Sequence, residues 1–165
     1  MPLVSEEPTF CELPNLKLVG ACAFGDFFSN NQQCLFGETW ERLHQHMIPD
    51  DQRAHPNRSF ALELYPPEFP KDRRWYYCAC VEVKSFETRY PSNMIARFIP
   101  AARYAKFTVA GPITEVGPTF RFLYDQWLPK SGIKLAGYYD MEAYDERFKG
   151  PCSPDSLMDI LLPLA

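Results

Sequence analysis

No run of basic residues longer than Arg73-Arg74 occurs in the 165-residue chain. Seventeen Lys and Arg stand against 21 Asp and Glu, a formal net charge of −4, so the positive footprint that nucleic acid demands is missing. No apolar stretch approaches the roughly 20 residues that cross a bilayer. The opening Met-Pro-Leu-Val-Ser-Glu-Glu-Pro has no basic region leading into an apolar run, so no secretory signal is visible. These absences predict a cytoplasmic soluble globule with no direct nucleic acid binding and no membrane contact.

Chemical motifs are equally sparse. There is no Gly-rich phosphate loop, nucleophile elbow or Ser/His/Asp pattern, and no cofactor is expected. Of three histidines, His44 and His46 sit two apart on an expected helix and point roughly 200° from each other, which suits no shared metal. Cys78 and Cys80 share one face of an expected strand, but no second pair or nearby His completes a zinc tetrad. No metal site is expected, and all six cysteines (11, 22, 34, 78, 80 and 152) read as free thiols acting as small apolar side chains.

What the chain has in excess is proline and aromatic rings. Sixteen prolines punctuate many short elements and exclude a long helical bundle. Aromatics make up 15% of the residues, enough to fill a core or to line an aromatic ligand pocket.

The most informative feature is an internal repeat in three ordered blocks. Leu13-Pro14 reaches Gly25 eleven residues after its proline, and Ile99-Pro100 reaches Gly111 over the same interval. Both intervening runs, Lys17 to Phe24 and Arg103 to Ala110, read as strands. Gly37-Glu38-Thr39-Trp40, Leu43 and Ile48-Pro49 then answer to Gly117-Pro118-Thr119-Phe120, Leu123 and Leu128-Pro129. Trp40, Leu43 and Met47, and Val116, Phe120, Leu123, Tyr124 and Trp127, fall at helical spacing. Thr39 and Thr119, or a residue just before each, are the expected N-caps, and the prolines should stop both helices. Finally Leu62-Glu63-Leu64-Tyr65 and Phe69 match Met141-Glu142-Ala143-Tyr144 and Phe148, each Glu sharing a strand face with its Tyr. A last strand closes each half, Trp75 to Lys84 and Leu157 to Leu164, the second after a Gly150-Pro151 turn.

The offsets of 86, 80 and 79 residues predict two strand-helix-strand-strand units, about 9–85 and 97–165, within a single domain spanning 1–165. Residues from about Phe86 to Arg97 would link them. The fold class is α+β: an antiparallel sheet with pseudo-two-fold symmetry and two helices packed on it.

The second half resembles a known family. Ile99 to Ala105, Gly111-Pro112, the segment Tyr124 to Gly132, and Asp140-Met141-Glu142-Ala143-Tyr144-Asp145 are similar to the GyrI-like small-molecule-binding domain, which is also the effector-binding domain of AraC-type and MerR-type regulators. The resemblance implies a groove between the halves, lined by aromatics, whose acidic floor receives cationic lipophilic compounds. It places that acid at Glu142. Such regulators carry a helix-turn-helix region before this domain. With a first strand near residue 9 there is no room for one, so a stand-alone domain is expected here.

Tyr138, Tyr139, Met141 and Tyr144 surround Glu142 with apolar bulk, and burial there would raise its pKa and favour a cationic guest. Glu63 is its internal counterpart. Trp40 and Phe120, at equivalent places on the two helices, would flank the groove. Phe24, Phe36, Tyr65, Trp75, Phe107 and Tyr144 are further candidates for its lining, each equally able to belong to the core. The resemblance admits three functions: a binding module for small cationic aromatic ligands, the preferred reading; a hydrolase of cyclopropane-bearing natural products, as some stand-alone members of the family are, with Glu142 and Tyr65 or Tyr144 as its machinery; or a protein-binding module like the gyrase-inhibiting members of the family.

Overall fold

The computed structural model describes residues 3–29 and 34–165. Strands β1 (Leu3–Val4), β2 (Thr9–Leu13) and β3 (Leu16–Gly25) lead to helix α1 (Leu35–Gln45). After it come β4 (Ser59–Leu64), the short α2 (Phe69–Asp72) and β5 (Trp75–Glu82). The second half follows with β6 (Ile95–Ile99), β7 (Ala102–Ala110) and a long irregular helix, then β8 (Tyr139–Tyr144) and β9 (Leu157–Pro163).

All the strands join one antiparallel sheet in the order β1-β7-β9-β8-β4-β5-β3-β6, with β2 also on β7. Read outward from the middle, the sequence β4, β5, β3 mirrors β8, β9, β7. The central pair is β4 with β8, in a register that sets Leu62 opposite Met141 and Glu63 opposite Asp140. Leu62 and Met141 are equivalent positions of the 79-residue repeat, so the pseudo-dyad passes between them. Strand alternation then settles the faces. Ala61, Glu63, Tyr77, Asp140, Glu142 and Tyr144 point to the helix side, and Leu62, Cys78, Cys80 and Met141 point to the other. Both faces are apolar and buried, which is why β5 reads as a nearly continuous hydrophobic run.

Several local expectations are corrected. Helix α1 starts at Leu35, so Thr39 is interior, and its hydroxyl donates to the Leu35 carbonyl at 2.6 Å instead of capping. Thr119 is likewise inside its helix, with Val116 at the N-cap and no side-chain cap. Both threonines are buried and face the sheet. Met47 lies beyond the helix end and is 62% exposed. Proline 49 follows the end of α1 as expected, but Pro129 does not stop the second helix. That helix runs as α3 (Gly117–Phe122), a π-helical turn (Leu123–Trp127) and α4 (Leu128–Ser131), ended by Gly132 at φ +69°. A proline inside a helix lacks an N–H and crowds the carbonyl four residues back; the widened turn directly before it supplies the room. The link between halves is also partly strand, because Ile95, Ala96 and Arg97 belong to β6 and pair with β3.

Gly20 marks the tightest approach in the sheet. A Cβ built there would sit 1.9 Å from the Ala79 carbonyl oxygen and 2.7 Å from the Cys80 Cα. Both are backbone atoms and cannot turn aside. Gly20→Ala is expected to destabilise by about 3 kcal/mol, at the upper end of single substitutions. Thermal unfolding should show it as a Tm lower by roughly 6–12 °C.

Candidate functional site

The central strand pair gathers three carboxyl groups on the helix side of the sheet. Glu63 comes from β4, Asp140 and Glu142 from β8, and all three are buried, at 6%, 0% and 5% exposure. Among the described residues two further acids are comparably buried, but each has a guanidinium. Glu82 accepts from Arg58 at 2.6 Å, and Asp159 from Arg147 at 2.6 Å. Among the described residues, no ion pair reaches Glu63, Asp140 or Glu142. Their partners are phenols instead.

The same Glu-x-Tyr pair recurs in both halves. Tyr144 donates to Glu142 Oε2 at 2.5 Å, and Tyr65 to Glu63 Oε2 at 3.2 Å. Asp140 lies where the pairs meet, its Oδ2 accepting from Tyr65 at 3.0 Å and from Tyr124 at 2.5 Å. Its other oxygen, Oδ1, is buried with no hydrogen-bond partner among the described residues, as is the Trp75 indole nitrogen.

Rings from both helices and the sheet close the cluster. Trp40 of α1 stands edge-on to Tyr144 with centroids 5.4 Å apart, and its indole N–H donates to the Tyr77 hydroxyl at 2.8 Å. Phe36, one turn earlier, meets Tyr77 edge-on at 4.8 Å. Trp75 packs against Phe27, Phe69 and Tyr65. Tyr124 belongs to the π-helical turn, and from there its hydroxyl reaches Asp140; such turns are frequent at functional sites.

The electrostatics follow from this enclosure. Burial is the main influence on each acid and disfavours the charged form. It pushes Asp140 up to about 7 against the opposing pull of the Tyr124 and Tyr65 hydroxyls. Glu142 rises to about 7, again by burial, with the Tyr144 hydrogen bond pulling down and the Asp140 charge pushing up. Glu63 lies well above the ordinary carboxylate value, through burial and then the nearby charges of Asp140 and Glu142. Around neutral pH Asp140 and Glu142 therefore stand between their protonated and charged forms, and no ion pair among the described residues balances the charge they gain on losing protons.

The GyrI-like small molecule binding domain family matches residues 6–165. The chain belongs to this family. The transcriptional regulator BrlR of Pseudomonas aeruginosa is 28% identical over 155 residues, which is 93% of this chain and 53% of BrlR, so the chain spans about half the length of this relative. Two solved structures show the same fold. SAV2435 bound to tetraphenylphosphonium superposes with a TM-score of 0.69 at 17% identity, over 96% of this chain and 94% of that one. The hydrolase encoded by lin2189 from Listeria innocua gives 0.52 at 14% identity, over 96% and 92%. Among the described residues, no helix is long and apolar enough to cross a membrane.

Within this GyrI-like fold the residues singled out from the sequence divide into two groups. Glu142, Glu63, Tyr65, Tyr144, Trp40, Trp75 and Phe36 form or wall the acid cluster, and Phe120 packs against the same core. Phe107 is fully buried beneath Trp127, with ring centroids 4.8 Å apart. Phe24 lies on the opposite face, 42% exposed, against Tyr76 and under Arg74. Sequence reasoning passed over Asp140, Tyr124 and Tyr77. For Asp140 the signal was present: it sits two residues before Glu142 on the same strand, and hence on the same face. Tyr77 and Tyr124 depend on the sheet register and the π-helical turn.

Proposed function

We propose that this GyrI-like chain binds cationic, lipophilic aromatic compounds at the Glu63–Asp140–Glu142 cluster. In this reading the domain is a single unit of two repeats, about 9–85 and 97–165, each giving one Glu-x-Tyr pair to the seam. The observation that carries the proposal is the contrast among buried acids: Glu82 and Asp159 have their arginines, while among the described residues no ion pair reaches the three acids at the seam. Unpaired buried charge is costly, and a cation that arrives with its own apolar surface relieves that cost without bringing a hydration shell. Each ring face meeting a desolvated cation adds roughly 0.5–2 kcal/mol. With few directional hydrogen bonds required, shape is read loosely and several ligands fit. The tetraphenylphosphonium held by SAV2435 is a compound of this chemistry.

Trp40 and Trp75 make the test direct, since a bound dye quenches their fluorescence. Titration with a rhodamine-type dye or tetraphenylphosphonium should show micromolar binding. Glu142→Gln is expected to weaken it about tenfold to a hundredfold, or 1.4–2.8 kcal/mol. Equal affinity in the variant would remove the central residue from the proposal.

A hydrolase is the second reading. Asp140 and Glu142, at about 7, are suited to take a proton from water at neutral pH, beside hydroxyls able to hold a substrate. The structural likeness to the Listeria hydrolase is in keeping with it. Turnover of a cyclopropane-bearing compound by the wild-type protein, lost in Glu142→Gln, would establish it.

A further inference from the structure

The face of the sheet away from the acids carries a second chemical feature. β3 and β5 are paired so that Cys22 lies directly opposite Cys78. Residues directly opposite in an antiparallel pair have Cα atoms about 4.5 or 5.5 Å apart, depending on the pair type, and both spacings admit a disulfide. Alternation turns both thiols to the same side. Cys22 is partly exposed and Cys78 buried, and both are free thiols. Cys22 lies in the wall of a cavity of about 870 Å³ together with Phe24, Leu64, Tyr76, Ile95 and Arg97.

We propose that Cys22 is a peroxide-reactive thiol and Cys78 its resolving partner, so that oxidation joins β3 to β5 by a reversible cross-strand disulfide. Three observations carry this: the register that sets the sulfurs face to face, the cavity that admits an oxidant to only one of them, and the arginines around that one. The Cys22 thiol is lowered, first by its hydrogen bond with Cys78 and further by the charges of Arg42 and Arg97, against the opposing effect of burial. Cys78 is raised by the same pairing and by burial. The lowered thiol is thus the attacking member of the pair, and the raised one its resolving partner.

The chemistry balances. The Cys22 thiolate attacks one oxygen of the peroxide, the O–O bond breaks, and hydroxide leaves with the electron pair. Cys22 is now a sulfenic acid. The Cys78 sulfur attacks the Cys22 sulfur and expels hydroxide, which takes up the Cys78 proton and leaves as water. The two thiols are oxidised and the peroxide is reduced.

Treating the full chain with one equivalent of hydrogen peroxide tests this. Intact mass should show loss of two hydrogens, non-reducing peptide mapping should find Cys22 joined to Cys78, and dithiothreitol should reverse both. In Cys78→Ala, dimedone should label Cys22. In Arg97→Gln, an exposed position whose substitution spares the core, Cys22 should react several-fold more slowly with iodoacetamide at pH 7. Linkage of another pair such as Cys22 with Cys80, or two thiols unchanged by peroxide in the folded wild-type protein, would overturn the proposal.

Discussion

Glu142→Gln is expected to be more stable than the wild-type protein at pH 8 and no more stable at pH 4.5. Burial raises Glu142 from 4.5 to about 7, more than the Tyr144 hydrogen bond lowers it. A carboxyl whose folded pKa lies above its unfolded value holds its proton more tightly in the folded state. From about pH 4.5 to 7 the folded protein therefore carries more protons than the unfolded chain, and stability falls as pH rises. Above about pH 7 the loss is complete, at about 3 kcal/mol for this group. Asp140, raised from 3.8 to about 7 by the same cause, adds a loss that begins lower, near pH 3.8, and is likewise complete above about 7. Glutamine keeps an acceptor for the Tyr144 hydroxyl and carries no charge, so it removes the contribution of Glu142. Urea titrations should show a gain of about 2 kcal/mol at pH 8 that vanishes at pH 4.5. An equal gain at both pH values would mean that the carboxylate is not held at a cost.

The repeat makes much of this arrangement legible in the sequence. Strands at Lys17, Arg103, Trp75 and Leu157 announce themselves by short apolar runs between turn residues. The Glu-x-Tyr pairs declare their shared face through a period of two. What a linear reading could not supply is register. Nothing in one strand says that Glu63 will face Asp140 across the seam, and the cluster becomes a triad only through that pairing. Phe24 shows the same limit in the other direction. Its aromatic character suited a pocket lining, but strand alternation places it on the face away from the acid cluster, where it lines the cavity beside Cys22 instead. Pro129 misled for a different reason. Proline excludes an ordinary helical interior, and a π-helical turn is an exception that depends on packing, here of Leu123 and Tyr124 onto the sheet.

If the proposed site holds cations, tetraphenylphosphonium should bind more weakly as pH falls from 8 to 5.5. The ligand has no titrating group, so any pH dependence belongs to the protein. At pH 8 Asp140 and Glu142, both near 7, are largely ionised and the cation meets charge already present. Below about 7 it must first displace a proton, and each proton displaced weakens binding about tenfold per pH unit. A single positive charge balances one carboxylate, so one proton is the expected count and the Kd should rise by about thirtyfold over that range. Calorimetry in phosphate and in Tris at pH 6.5 should give different heats, because the released proton is taken up by the buffer. Loss of folding does not mimic this effect, since the same pKa values make the protein more stable toward pH 5.5. The Asp140→Asn/Glu142→Gln double variant should bind weakly at every pH, with no buffer dependence. A wild-type affinity identical at pH 5.5 and 8 would place the ligand away from these two acids, whatever its strength.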